Sequence, residues 1–332
     1  MTLDDLFTVT SLTDSINKLP AVPGQVGAMN LFVEKGIRTT SALIDVKNGR
    51  LVLVENQSRN SEGQPMGANK RTAQSFQCAH LPLTDVILPD EIQDVRAFGG
   101  EATPDAQNLE SQASVINDKL TTMKNSLEAT REFHRVGALR GKILDSDGTT
   151  VIHDLYSAFG VTKKSVNVAL SNQATNVRKA CLDAKRYSEK KLGGFVVRGF
   201  RALCGSDWFD ALISQENVKA AYEGYQAAQD RLGGDMRSGF TFGGIEFVES
   251  NMQVGNQLFI PADVAQVFPL AAGAFVTYNG PANYNEAVNT IGKPYYAKAE
   301  PRKMGKGWDL ESQANPLSLC LVPEALVELK AT

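Results

Sequence analysis

Apolar residues recur at spacings of three and four between residues 103 and 142, which is the period of an α-helix with one buried face. Thr103 can cap this helix, and Pro104 suits its first position, where the missing N–H costs nothing. At about 1.5 Å per residue the helix would be roughly 55 Å long, and a single stripe predicts that it lies across a sheet. The residues of the stripe are Leu109, Ala113, Ile116, Leu120, Met123 and Leu127.

A β-hairpin with a long polar excursion is predicted before this helix. Two runs of β-forming residues within 41–55 flank the pair Asn48-Gly49. Asn and Gly both tolerate the positive φ of a type I′ turn, so this pair is the predicted hairpin turn. Residues 56–71 are rich in Ser, Asn, Gly and basic residues and offer little to bury, which indicates a projecting tip or loop. A returning strand is predicted over 74–83.

The remaining pattern alternates short strands and helices without an internal repeat or an interdomain linker, which is typical of an α+β chain. The first 37 residues hold too few apolar positions to fold alone and must lie on other elements. The predicted elements are a short arm helix capped by Thr13 or Asp14, a strand starting at Val151, a helix over Thr175–Lys191, a buried strand at Phe195–Val197, a capped helix from Ser206, a hairpin over Phe240–Glu249 with a Gly243-Gly244 turn, and a final strand over Leu317–Leu329 broken by Pro323.

The composition is that of a folded, globular chain. Of 332 residues, 42% are hydrophobic and 21% are charged, and this length predicts roughly two domains. Lys and Arg total 34 against 37 Asp and Glu, a net charge of -3, so binding of nucleic acid by bulk positive charge is disfavoured. The N-terminus is acidic where a signal peptide would be basic, and the longest apolar stretch, Val267–Val276, is too short for a membrane span. We therefore expect a soluble, cytoplasmic product.

Scarcity of histidine and cysteine limits the chemistry that the chain can perform. It holds only 3 His and 4 Cys, and none of the cysteines forms a CxxC pair, so zinc ribbons and thioredoxin-type motifs are excluded. Free buried thiols in a reducing compartment are favoured over two disulfides. The sequence predicts no metal site and no cofactor. The cysteines are Cys78, Cys181, Cys204 and Cys320.

Two further features are candidate sites. His134, near the end of the long helix, could act as a general base, but a solvated or interface side chain is favoured, and His80 and His153 are interpreted in the same way. A basic patch interrupted by Glu189 could contact nucleic acid, but a solvated face or a subunit contact is favoured. An arm, a ribbon and a long helix that cannot bury themselves point to a protein that assembles with neighbouring subunits. The basic residues are Lys185, Arg186, Lys190, Lys191, Arg198 and Arg201.

Three stretches of the chain resemble the major capsid proteins of lambda-like tailed phages, the capsid protein E family. The first, Asp45–Arg71, contains NGRLVLVENQSRNSEGQP. The second runs from Asp94 to about Ser157 and contains VRAFGGE and LEATREFHRVGALRGKILDSDGTTVIHDLYSAFGV. The third, Asn279–Leu329, contains YNEAVNTIGKPYYAKAEP and GWDLESQANPLSLCLVPEALVEL. The resemblance covers nearly the whole chain, and its motifs are structural rather than catalytic.

The resemblance implies the Hong Kong ninety-seven phage-type major capsid fold, which is α+β. In that fold an extended hairpin, the E-loop, reaches a neighbouring subunit, and a long spine helix crosses the peripheral domain. The implied segments are an N-terminal arm at 1–37, the E-loop at 38–85, the peripheral domain at 86–169 with the spine helix at 104–142, the axial domain at 170–285, and a return to the peripheral domain at 286–332. The implied E-loop interface residues are Arg59, Asn60, Glu62, Gly63, Gln64, Pro65, Lys70 and Arg71.

By the same resemblance, the protein would assemble with itself into hexamers and pentamers of an icosahedral head around double-stranded DNA, without sequence-specific contacts. A separate scaffold protein, a portal, a maturation protease and a decoration protein are the implied partners, and the virion is the implied location, after assembly in the host cytoplasm. An encapsulin-like cargo shell of the same fold is the alternative. An enzyme, for instance a hydrolase that uses His134, is the third hypothesis, from another functional class.

Overall fold

The computed structural model describes residues 9–19, 24–46, 72–93, 104–219, 221–222, 239–254 and 257–331. The long helix predicted from the apolar stripe is present and begins at Pro104. The helices are α1 (Val9–Lys18), α2 (Gln25–Ala28), α3 (Pro89–Gln93), α4 (Pro104–Arg140), α5 (Leu155–Ala158), α6 (Val177–Leu192) and α7 (Ser206–Ile213), with 3₁₀ turns at Asn285–Ala287, Lys303–Gly305 and Pro323–Ala325.

The strands are short and distributed along the whole described chain. They are β1 (Val33–Gly36), β2 (Ser41–Val46), β3 (Thr72–Gln77), β4 (Leu81–Ile87), β5 (Lys142–Leu144), β6 (Val151–Asp154), β7 (Lys164–Asn167), β8 (Val197–Cys204), β9 (Phe240–Phe242), β10 (Ile245–Glu249), β11 (Gln253–Val254), β12 (Gln257–Leu258), β13 (Val264–Ala271), β14 (Phe275–Asn279), β15 (Tyr296–Pro301), β16 (Trp308–Ala314), β17 (Pro316–Cys320) and β18 (Val327–Lys330).

The largest sheet has six strands in the order β7-β18-β13-β8-β10-β9. The β7–β18 and β8–β10 pairs are parallel, and the other pairs are antiparallel. Helix α6 buries Val177, Cys181 and Ala184 in the core of this sheet, where Trp208 from α7 stacks on Phe247 at 5.4 Å. The predicted β9–β10 hairpin is present, and Gly243 and Gly244 adopt the positive φ values of 59° and 78° that its turn requires.

A second sheet, β15-β16-β4, is antiparallel throughout and carries α4 across one face. Four residues of the helix stripe pack there against Leu310 and Ala297. Leu109 and Ala113 lie in α4, but their side chains are outside the described residues. The helix therefore lies across a sheet, as its single stripe predicts. The buried residues of the stripe at this sheet are Ile116, Leu120, Met123 and Leu127.

The last third of α4 departs from the one-stripe pattern. Residues 131–139 are all buried, although Arg131, Glu132 and Arg135 are charged. The helix leaves the second sheet here and enters a junction formed by α2, β5, β17 and β13. Burial on all sides therefore replaces the predicted single stripe over these residues.

Three shorter predictions are corrected by the structure. Thr13 lies inside α1 rather than at its cap, because its side chain is buried and hydrogen-bonded with the backbone of Ala297. The predicted returning strand splits into β3 and β4, which belong to different sheets. The buried strand predicted at Phe195–Val197 begins only at Val197, and Val196 is 77% exposed.

Helix α7 and the C-terminal strands also differ in detail from the prediction. Helix α7 begins at Ser206, but Gly205 occupies the N-cap without a side-chain hydrogen bond, and the N–H of Trp208 is satisfied instead by the carbonyl of Ala262 at 2.9 Å. The final stretch breaks near Pro323, as predicted. Its two strands then join different sheets, since β17 pairs with β14 and β18 pairs with β13 and β7.

Leu120 tests the packing of α4 on the second sheet, because its side chain is fully buried there. We expect Leu120→Ala to lower the free energy of unfolding by about 2–5 kcal/mol, since it removes buried apolar area and leaves a cavity. Urea unfolding of the isolated subunit measures this. The matched control is Asp118→Ala on the exposed side of the same helix, which should change stability by no more than about 0.5 kcal/mol. Equal effects of the two substitutions would contradict the packing described.

Candidate functional site

Strands β2 and β3 form a two-stranded ribbon that packs on the body through Ala42 and Ile44, which are buried in the core. The register pairs Ser41 with Gln77 at the root and Val46 with Thr72 at the far end. Phe76, which is 2% exposed, stacks on Phe159 at a centroid distance of 5.7 Å and fixes the root to the body. The ribbon thus starts as a rigid extension of the core.

His153 strengthens this root. Its ring lies edge-on to Phe76 at 5.6 Å, and its Nε2 atom hydrogen-bonds with the Gln77 carbonyl at 2.8 Å. Leu43, on the ribbon, is 73% exposed. A large apolar side chain left in solvent on a projecting ribbon is a feature of surfaces that meet another protein.

The sequence-predicted interface residues belong to the stretch of sequence between β2 and β3. The proposed hairpin turn and all eight E-loop residues fall outside the described residues, so their assignment stays a prediction. Within the described part of the chain, the partner of β2 is β3, the returning strand. The residues in question are Asn48, Gly49, Arg59, Asn60, Glu62, Gly63, Gln64, Pro65, Lys70 and Arg71.

The arm helix α1 is fastened to the middle of α4 by a buried lysine. The Nζ atom of Lys124 donates to the carbonyls of Ile16 at 2.8 Å and Leu19 at 2.6 Å. These carbonyls lie at the end of α1, where a helix leaves its acceptors unpaired, so the lysine completes the helix. Lys124 is 3% exposed, and burial lowers its pKa.

Two to three turns further along, two arginines of α4 hold strand β1. Glu34 of β1 accepts from Arg131 at 2.7 Å and from Arg135 at 3.0 Å. Arg135 also pairs with Glu128 at 2.7 Å, and the Tyr295 hydroxyl donates to the same Glu128. We call these five residues the spine cluster. It ties the arm side, the helix and the β15 side of the second sheet together through charge-assisted hydrogen bonds.

The electrostatics of the spine cluster follow from burial and pairing. Burial by itself would raise the pKa of Glu128, but the guanidinium groups of Arg131 and Arg135 and the Tyr295 hydroxyl hold it below the ordinary value. Burial also raises the pKa of Tyr295, so this phenol stays protonated and donates. Glu128 is therefore an ionised acceptor at neutral pH.

Glu132 fastens the short helix α2 to α4. Its carboxylate accepts from the backbone N–H groups of Val26 and of Gly27, the latter at 3.0 Å. A Cβ at Gly24 would lie 2.2 Å from the Glu132 Cδ atom, so any other residue there would displace the carboxylate. Burial raises the pKa of Glu132. The arm is thus anchored to α4 at two separate points.

His134 follows the Glu132 anchor on α4 but has no chemical role that the geometry supports. It is 1% exposed, so the predicted solvated or interface side chain is wrong. Burial lowers its pKa to about 4, which leaves the ring neutral at pH 7. The reason is the enclosure of the last third of α4, which no substrate in solvent could reach.

Cys78, His80 and Asn315 line one small cavity of about 210 Å³ and superficially resemble a nucleophilic triad. His80 Nδ1 hydrogen-bonds with Asn315 Oδ1 at 2.9 Å. Burial raises the pKa of the Cys78 thiol to about 11, so the nucleophilic thiolate is scarcely populated. All four cysteines are free, and Cys181, Cys204 and Cys320 are buried.

The predicted basic patch is partly neutralised by its own neighbours. Arg201 pairs with Glu246 at 2.6 Å, and Lys191 pairs with Glu324 at 2.8 Å. Among the described residues, no three His, Cys, Asp or Glu side chains are grouped so as to hold a metal ion. In the same ranges, no helix has both the length and the apolar character needed to cross a membrane.

Residues 8–331 match the model of the family described as phage major capsid protein E. The chain belongs to this family. It is 26% identical to the major capsid protein of Salmonella phage Felix O1 (isolate Felix O1-VT1), with 98% of this chain and 96% of that protein covered. It is 28% identical to the major capsid protein of Pseudomonas phage KPP10, with 99% and 98% covered.

The structural comparison concerns the fold alone. A proposed capsid protein of an Escherichia coli CFT073 prophage, known from its crystal structure, matches with a TM-score of 0.55 at 14% identity, over 92% of each chain. The α+β architecture of the Hong Kong ninety-seven phage type, with its long helix across a sheet, is thereby confirmed for this member of the capsid protein E family.

Glu128 provides a test of the spine cluster. At pH 7 we expect Glu128→Gln to lower the free energy of unfolding by about 3–5 kcal/mol, because two buried guanidinium groups lose a partner. The pKa of Glu128 is below its ordinary 4.5 in the folded state, so its contribution is fully present above that pH and is lost as the pH falls through the folded value.

Urea unfolding from pH 7 to pH 3.5 measures this difference. The gap between the two proteins should be constant above about pH 5 and should narrow below it. Glu189→Gln, an exposed carboxylate on α6, is the control and should show no gap at any pH. A gap for Glu128→Gln that widens in acid would contradict the arrangement.

Proposed function

We propose that this chain is the major capsid protein of a tailed phage with a double-stranded DNA genome, and that it assembles into the hexamers and pentamers of an icosahedral head. The family match over residues 8–331 carries this proposal. The named relatives are phage major capsid proteins, which supports a phage head over an encapsulin-like cargo shell.

The architecture supports a building block with one rigid body and one projecting ribbon. The body is held by the spine cluster and by the packing of α4 on the second sheet. The β2–β3 ribbon leaves this body as the base of the proposed E-loop at 38–85. Contacts of such a loop with neighbours are weak individually, but a closed shell repeats them many times, so the assembly is stable through avidity.

We assign the remaining segments on the same basis. The arm would occupy 1–37, the peripheral domain 86–169 and 286–332, and the axial domain 170–285. The sheets interleave these segments, because β18 from the C-terminal segment pairs with β13 in the six-stranded sheet. The proposed domains are therefore joined by shared strands, which suits a subunit that must move as one block.

The proposed partners and location follow from this role. A separate scaffold protein, a portal, a maturation protease and a decoration protein would act with it, in the host cytoplasm, and packaged DNA would touch it without sequence readout. The proposed role is not enzymatic. The buried neutral ring of His134 and the protonated thiol of Cys78 support a non-enzymatic role.

Deletion of residues 57–70 tests the assembly role of the loop. We expect a soluble subunit with an unchanged urea midpoint that no longer closes shells, because the contacts that bridge subunits are removed while the root at Phe76 is kept. Negative-stain electron microscopy and sedimentation velocity of protein co-expressed with its scaffold measure assembly.

The intact chain is the reference and should give uniform closed particles under the same conditions. Asp183→Lys, an exposed substitution on α6, is the surface control and should assemble normally. Normal particles from the deletion would disprove the loop assignment. Only monomers from the intact chain, at every protein concentration tried, would argue against the capsid role itself.

A further inference from the structure

Helix α6 gives the chain one strongly basic surface. Its 16 residues hold six basic and two acidic side chains, a net charge of +4 in a chain whose total is -3. The helix packs on the six-stranded sheet through Val177, Cys181 and Ala184, which leaves the charged residues on its outward side and flanks. We call the six basic residues of α6, together with Lys164 of β7, the basic face. The six are Arg178, Lys179, Lys185, Arg186, Lys190 and Lys191.

Three of these residues form an outward ridge. Lys179, Arg186 and Lys190 are exposed, and they are spaced by seven and four residues, so at 3.6 residues per turn they lie on the side opposite the sheet. The ridge from Lys179 to Lys190 is about 16 Å long, at roughly 1.5 Å per residue. Duplex DNA carries one phosphate charge per about 1.7 Å of its axis, so the ridge matches a stretch of roughly ten phosphates.

Neighbouring carboxylates neutralise only part of the basic face. Among the described residues, Arg186 and Lys191 are the two of the six basic side chains of α6 that form ion pairs, at 3.4 Å from Asp183 and 2.8 Å from Glu324. The other four keep their charge uncompensated by any carboxylate in this part of the chain. A polyanion could therefore bind them without first displacing an internal partner.

Aromatic rings hold part of the basic face in place. Lys164 and Lys191 lie over the ring of Tyr187 at 5.4 Å and 5.9 Å, which joins the lysine of β7 to the helix. The guanidinium group of Arg178 lies over the ring of Phe242 at 5.6 Å. Side chains that are already ordered lose less conformational freedom when they bind a ligand.

The negative net charge of the chain does not cancel this surface. At physiological salt the Debye length is about 8 Å, so exposed carboxylates elsewhere on the subunit contribute little to the field at α6. The composition argues against attraction of a polyanion by the chain as a whole, but it permits a local contact. The sequence pattern favoured a solvated face or a subunit contact because it does not show which charges are paired.

We propose that the basic face binds the phosphate backbone of duplex DNA and lines the inside of the proposed shell. The inference rests on the proposed capsid role and names the surface of the subunit that meets the packaged genome. Contacts of lysine and arginine with phosphate position a duplex without reading its bases. Such contacts suit a wall that must accept any stretch of a genome.

The residue types on α6 favour DNA over a protein as the ligand. The cores of protein interfaces are depleted in lysine and enriched in aromatic side chains. The outward side of α6 presents lysines and one large apolar side chain, Leu182, which is 37% exposed. The cleft lined by residues of β4, β15 and β16 has the wrong sign for phosphate, since it holds four carboxylates and one lysine.

Charge changes on the ridge test the DNA contact. We expect Lys179→Glu with Lys190→Glu to weaken binding of a duplex of about 30 base pairs to the unassembled subunit at least tenfold in 50 mM salt. The slope of log affinity against log salt should become shallower by about two, because two phosphate contacts are lost. Asp183→Lys adds a cation beside the same ridge and should tighten binding. Fluorescence anisotropy of the labelled duplex measures all three effects.

Lys303→Glu with Lys306→Glu is the matched control, because it makes the same change of net charge on exposed residues between two strands of the second sheet. We expect its DNA affinity to stay within about twofold of that of the intact chain, and both pairs to assemble into closed particles. Equal losses of affinity from the two pairs would show a response to net charge alone. Loss of assembly from the α6 pair alone would show that the face is a subunit contact. Either result would overturn the inference.

The position of the basic face relative to the shell wall is tested by labelling. Lys190→Cys should react with a maleimide on a large polyethylene glycol chain in the unassembled subunit but not in closed particles, because the reagent cannot cross the wall. A small maleimide should label both forms, and the intact chain gives the background. Labelling of closed particles by the large reagent would place the face outside, and protection from both reagents would place it in a subunit contact.

Each of these labelling results would refute the inference while the intact chain still forms shells. Absence of closed particles from the intact chain would instead count against the capsid role, so the two failures are distinguishable.

Discussion

The buried charges at the end of α4 are the constraint on which the rest of the subunit depends. Arg131 and Arg135 are 2% and 7% exposed, and each is stable there only because Glu34 and Glu128 are fixed within hydrogen-bonding distance. Apolar residues of similar volume could fill the same space at equal or better stability. What the ions add is geometric selection, since the guanidinium groups are paired only when Glu34 of β1 and Glu128, to which the Tyr295 hydroxyl donates, are both in place.

That selection decides which parts of the chain are rigid. The same helix receives α1 through Lys124 and α2 through Glu132, so hydrogen bonds to backbone atoms fix the path of the described arm. Apolar packing adds to them, because Leu12, Ile16 and Val26 are buried in the core. The ribbon is fixed differently, by aromatic packing of Phe76 at its root and by burial of Ala42 and Ile44 in the core.

Elements of the fold that depend on neighbouring residues could be predicted from the sequence, and elements that depend on distant residues could not. The helix start at Pro104, the β9–β10 turn at Gly243-Gly244 and the break near Pro323 are local, and the sequence pattern predicted them. Enclosure of the last third of α4 was not predicted, because Arg, Glu and His count as polar in any periodicity. Their burial depends on partners about 100 to 170 residues away in the chain, such as Glu34 and Tyr295. The assignment of β17 and β18 to different sheets was missed for the same reason, because it depends on strands elsewhere in the chain.

The distribution of charges over this molecule explains more than its net charge does. The net value of -3 disfavours a polyanion-binding surface, yet it conceals a buried cluster that is internally paired and a segment, residues 47–71, that holds five basic and two acidic residues. Buried pairs are little affected by salt, whereas exposed complementary patches weaken as ions screen them. Added salt should therefore weaken contacts between subunits more than it weakens the fold of each subunit. Weak, reversible contacts let misplaced subunits leave a growing shell, and their repetition stabilises the shell once it closes.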